Sequence, residues 1–165
     1  MNKDIVPEHF TLELALFDMV PVILFGVASL ILWNSVGGVV LFLGAVICFV
    51  SGMLKVLWKI IVVLKKKNVW PLFLQMRIGM PIGFAFLIIG LIIAGVKGNL
   101  SAFAAGLLHP LPMIFLVLTV IAMTGMIYCG RKLNSADVKA NWIEQICNTV
   151  GQGSFMMMVI MASSL

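Results

Sequence analysis

The stretch Met19–Leu54, MVPVILFGVASLILWNSVGGVVLFLGAVICFVSGML, contains no charged residue, and only the turn-like run Asn34-Ser35-Val36-Gly37-Gly38 interrupts it. A helix rises about 1.5 Å per residue and a bilayer core is about 30 Å thick, so this stretch reads as two crossing helices joined by a tight turn. Ile78–Val96, Gly98–Gly130 and Gln145–Leu165 are further runs without charge. The whole chain is 62% apolar and 10% charged, with a mean hydropathy of +1.18. Soluble domains are about a quarter charged, so a soluble domain is excluded. The alternating pattern of a membrane barrel is absent, which leaves helices.

The expected fold is all-α, a polytopic membrane helical bundle forming a single integral-membrane domain over residues 1–165. Its five transmembrane helices fall at about residues 12–33, 38–64, 70–96, 111–130 and 140–165. Pro21 predicts a kink in the first. Trp70-Pro71 suits the start of the third, with tryptophan at the interface and proline in a first helical turn. Lys97 to Pro110 is expected outside, apolar enough to rest on the membrane surface or to form a short interfacial helix. Glu13, Asp18 and Pro21 lower the insertion propensity of the first span, so the alternative is four spans plus an interfacial N-terminal helix. The segment Met1–Phe10 lacks the basic region and cleavage site of a signal peptide, and the first span is therefore expected to remain in the mature protein.

The net charge of +5 bears on topology rather than on nucleic acid. Lys65, Lys66, Lys67, Arg131, Lys132 and Lys139 lie in two loops on one side, against Lys97 alone on the other. The positive-inside bias places both basic loops in the cytoplasm, the N-terminus with them and the C-terminus outside, in a cell (inner) membrane.

Within that frame the last span carries a polar stripe. Asp137, Asn141, Glu144, Gln145, Asn148 and Gln152 recur three or four residues apart and share one side of a helix. An unpaired amide or carboxylate is costly in hydrocarbon, so the stripe must face protein, a polar cavity or water. Other intramembrane charges lie in the same cytoplasmic half. Asp18 is about 10 Å in along its helix, Lys55 about 13 Å, and Lys59 and Arg77 about 7–10 Å. Pairing across helices is the expected relief, with Asp18 in reach of Lys55 or Arg77. Ser51, Lys55, Trp58 and Lys59 share a face of the second span, and Lys59 is expected to snorkel to the headgroups. Gln75 and Arg77 point in nearly opposite directions, and Arg77 is expected to be the one facing the bundle. Asn141 and Gln145 are read as helix–helix glue. Gly79 with Gly83, and Gly90 with Ala94, are small residues spaced for close helix approach. Pro81 between the first two frees a carbonyl near Arg77.

The remaining chemistry is sparse. His9 and His109 fall on opposite sides of the membrane, so they cannot share a metal or haem, and no metal site or named cofactor follows from the sequence. Cys48, Cys129 and Cys147 offer no disulfide framework. Met156, Met157, Met158 and Met161 read as apolar packing. There is no nucleophile elbow, phosphate loop or Cys-x-x-Cys. The leading reading is a polar pocket in the cytoplasmic half, lined by Asp18, Lys55, Arg77, Glu144, Asn148 and Gln152, that binds or transports a small solute, ion or amphiphile. The alternative is an accessory or structural membrane subunit whose polar fifth helix docks a partner helix. An enzyme acting on lipid headgroups with Glu144 or Asp18 as base ranks last, because no nucleophile or metal set accompanies the carboxylates. Expected partners are the lipid bilayer, a small ligand, and either a second copy or a partner membrane subunit, with no nucleic acid.

Overall fold

The computed structural model describes residues 11–132 and 138–165, so His9 and Asp137 lie outside the described residues. Thr11 opens the first helix, its Oγ1 accepting from the Leu14 N–H at 3.2 Å. That helix, α1 (Leu12–Phe17), stops at Asp18, and α2 (Met19–Val36) follows at once. Pro21 supplies the cause. Its ring has no N–H to donate and crowds the carbonyl four residues back, that of Phe17, at the point of the break. The helix is thus interrupted about one turn before the proline where the kink is expected, while Asp18 itself keeps right-handed helical backbone angles. α2 ends at Gly37 and Gly38, whose φ values of 76° and 98° are accessible at low cost only to glycine.

The turn feeds α3 (Val39–Lys65), then α4 (Trp70–Val96), the short α5 (Ser101–Leu107), α6 (Pro110–Lys132) and α7 (Val138–Ser164). Among the described residues five helices are long and apolar enough to cross a membrane, counting Leu12–Val36 as one. The protein is thus an all-α helical bundle of membrane type. The segment Leu12–Val36 does not lie apart from the bundle: α2 packs between α3 and α7, the central place in the neighbour order α4–α3–α2–α7–α6. The 97–110 connection contains the short helix α5, which lies on the end of α7 with Gly106 against the Ala162 carbonyl.

Small residues set the closest seam. A Cβ on Gly44 would sit 2.6 Å from the Leu87 nitrogen, and one on Gly90 would sit 2.6 Å from the Leu41 nitrogen. Gly83 faces Cys48 in the same way, at 2.5 Å from its sulfur. Only hydrogen fits at these three positions, so α3 and α4 meet backbone to backbone. α4 itself runs unbroken through Pro81, in contrast to the interruption next to Pro21.

The two ends of the bundle differ. At the end opposite the basic loops, Leu32, Val36, Leu41, Ala94, Met158 and Val159 form a closed apolar core. At the basic end Trp58, Val62 and Phe73 make a second cluster, and the Trp58 Nε1 donates to Asn68 Oδ1 across the α3–α4 loop at 3.1 Å. Between these clusters lies the polar part of the interior.

Candidate functional site

The break at Asp18 is what places the site. Asp18 makes no capping bond with its side chain, although it stands at the start of α2. The carboxylate turns instead toward α3, where Lys59 Nζ is 2.7 Å and Lys55 Nζ 3.4 Å from its Oδ2. Asp18 is 1% exposed and Lys59 6%, so this is a buried ion pair. Lys55 is more loosely held and keeps 25% of its side chain accessible. The sequence expectation that Asp18 pairs with Lys55 holds, but the nearer partner is Lys59. Snorkelling is thereby overturned for Lys59. Its stem and ammonium are both taken up inside the bundle, because a carboxylate at the same depth attracts it more strongly than a distant headgroup layer.

Next to the ion pair is a cavity of about 80 Å³. Asp18, Pro21, Val22 and Phe25 form one wall, Cys48, Gly52 and Lys55 a second, Met80 and Phe84 a third, and Asn148 with Gln152 the fourth. Four spanning segments therefore contribute to one polar space. Phe25 lies 6.0 Å from Phe84 and 6.2 Å from Phe155, ring centre to ring centre. These three rings form a layer between the cavity and the apolar core at the far end.

The amides are poorly used within the chain. Among the described residues Gln152 Nε2 reaches only the Met123 sulfur, at 3.9 Å, and a thioether is a weak acceptor. Gln145, two turns earlier on the same face, is 4% exposed, and its Oε1 has no hydrogen-bond partner among the described residues. The expectation that Gln145 is helix–helix glue is thus not met at that atom.

Two of the residues expected in the pocket stand outside it. Arg77 is exposed and stacks its guanidinium 4.9 Å from the centre of the Phe73 ring. Gln75 takes the inward place instead, donating to the Ser51 carbonyl at 3.3 Å. The signal for this was present. Gln75 precedes Gly79 and Gly83 by four and eight residues, so it belongs to the small-residue ridge that packs on α3, and Arg77 does not. Glu144 is half-buried beside Gly130 of α6. It attracts Lys59 at longer range without lining the cavity.

Larger clefts exist, but they lack buried polar groups. One of about 340 Å³ runs along the outer seam of α2 and α3, lined wholly by apolar residues and glycine. Another of about 370 Å³ lies at the end opposite the basic loops, near Gly37, Gly38, Lys97 and Asn99. Among the described residues no three His, Cys, Asp or Glu side chains gather as a metal site would require. The Cys147 thiol faces Cys129 across the α6–α7 contact, close to Gly125. No protein-family model, curated protein or solved structure matches this chain.

Proposed function

We propose that this membrane protein binds a small polar solute or ion in the cavity beside Asp18, in the half that the charge bias assigns to the cytoplasm. The observation that supports this is convergence. Asp18, Lys55, Asn148 and Gln152 come from three spans and meet at one space, with Met80 and Phe84 of a fourth closing it. A stripe serving only to dock a partner helix would face outward, whereas Gln152 and Asn148 face in. The volume limits the ligand. About 80 Å³ is several times what one water needs and far below the roughly 300 Å³ at which drug-sized molecules are held, so amphiphiles and vitamins are too large for this state. Transport would require the Phe25–Phe84–Phe155 layer to open.

The test is a thermal shift of wild type and Gln152→Leu against a panel of salts, amino acids and other small polar solutes. Leucine removes a poorly satisfied amide, so the variant should fold as well as wild type or better. A panel member should stabilise wild type, as expected of a ligand bound by the native state alone, and should not stabilise the variant. Loss of the folded bundle in Gln152→Leu, with no panel member acting on wild type, would refute the binding reading. It would favour the second one, an accessory subunit or oligomer, for which there is one supporting observation: α6 buries only Pro112 among its described residues.

A further inference from the structure

We infer that the ligand of this cavity is a small monovalent anion of the size of chloride, nitrate or formate, an inference that rests on the binding role proposed above. The sign follows from how the charges are distributed. The Asp18 carboxylate is committed to Lys59 at 2.7 Å, both groups being buried. Lys55 meets the same carboxylate only at 3.4–3.5 Å. An ammonium has three N–H donors, and this long contact uses at most one of them. Lys55 also lines the cavity, whereas Lys59 does not. The wall therefore carries a loosely neutralised cation beside a carboxylate that is already paired.

A cation entering this space would meet two lysines on one aspartate. An anion would meet the spare donors of Lys55 and, across the cavity, the amide groups of Asn148 and Gln152, which can present N–H without adding charge. Among the described residues the other carboxylate that bears on the cluster is Glu144. It acts on Lys59 from the α6 side, next to Gly130 and the basic Arg131 and Lys132, and is not part of the cavity wall. Glu13 is exposed and Arg77 lies over Phe73, so neither offsets Lys55 inside the cavity. Size then selects within anions, since about 80 Å³ admits a few heavy atoms and excludes a sugar acid or a nucleotide.

The experiment uses the purified full chain in nanodiscs, held in sodium gluconate, whose anion is too bulky for the cavity. Sodium chloride, nitrate and formate are titrated in at constant ionic strength while the thermal midpoint is followed. One control arm replaces sodium by potassium, lithium or choline with gluconate fixed. Another adds formamide, the neutral counterpart of formate. The small anions should raise the midpoint saturably, and gluconate, the cations and formamide should not. Lys55→Met should weaken the anion response about tenfold or more, the loss expected of one charge-assisted hydrogen bond. Lys55→Gln repeats the measurement if the methionine variant does not fold. Stabilisation by a cation or by formamide would overturn the anion assignment while leaving a binding site in place. An undiminished response in the Lys55 variants would overturn the role of that residue. No response in any arm would overturn both the assignment and the binding role beneath it.

Discussion

Replacing Asp18 by asparagine tests the centre of the structure most directly. At 2.7 Å the Asp18–Lys59 pair attracts by about 6 kcal/mol at an effective dielectric of about 20. Burying the two ions costs several kcal/mol each, so the intact pair adds little net stability. Breaking it is different. Asp18→Asn leaves Lys59 charged, 6% exposed and without its nearest counter-ion, which should cost about 3–5 kcal/mol. The pair with Lys55 is longer, at 3.4 Å, and Lys55 retains 25% of its side-chain exposure, so Lys55→Met should cost about 1 kcal/mol or less. The double variant Asp18→Asn/Lys59→Met removes both buried charges and should recover most of the loss. The assay is reversible unfolding by SDS in mixed micelles, run as two double-mutant cycles. Coupling of at least about 2 kcal/mol is expected for Asp18 with Lys59, and under about 1 kcal/mol for Asp18 with Lys55. If the Asp18 and Lys59 effects simply add, the ion pair does not organise the bundle and the reasoning fails.

The α3–α4 seam makes a second prediction. Gly90→Val should destabilise by about 1–3 kcal/mol or more, because its Cβ would meet Leu41 backbone at 2.6 Å, whereas Gly95→Ala, with only Leu100 Cδ2 at 3.7 Å, should be close to neutral. Equal midpoints for the two variants in the same SDS titration would mean that α3 and α4 do not approach as described. Topology gives the third. In intact cells, single cysteines placed at residues 65–67 should be shielded from a membrane-impermeant maleimide, and those at residues 97–101 should react. The reverse pattern would invert the positive-inside assignment.

Much of the architecture was legible because hydropathy is a property of composition along the chain. Met19–Leu54 and the other charge-free runs needed no partner to be read as spans, and the boundaries of the third, at Trp70 and Val96, agree with the structure. The turn at Gly37-Gly38 and the short helix before Pro110 followed from local chemistry in the same way. Depth along a helix axis was also within reach, since it depends on rise per residue alone. It brought Asp18, Lys55, Asn148 and Gln152 to one half of the bundle, and these four line the cavity.

What the sequence could not decide was which face of each helix meets which neighbour. Depth alone points Lys59 to the headgroups, yet its place on the same face as Ser51 and Trp58 is what governs it, because Asp18 lies on that face. Arg77 is expected to face the bundle; the spacing of Gln75 with Gly79 and Gly83 already argues against it, and it is the close packing of Gly83 and Gly90 on α3 that leaves Arg77 outside. The ring layer of Phe25, Phe84 and Phe155 had no local signature at all, being drawn from three helices far apart in the chain. Hydrophobic burial in lipid is satisfied by any rotation of an apolar helix, so sequence determines that a segment crosses. Rotation and partner are decided only when close backbone contacts and the pairing of buried charges compete across the whole bundle.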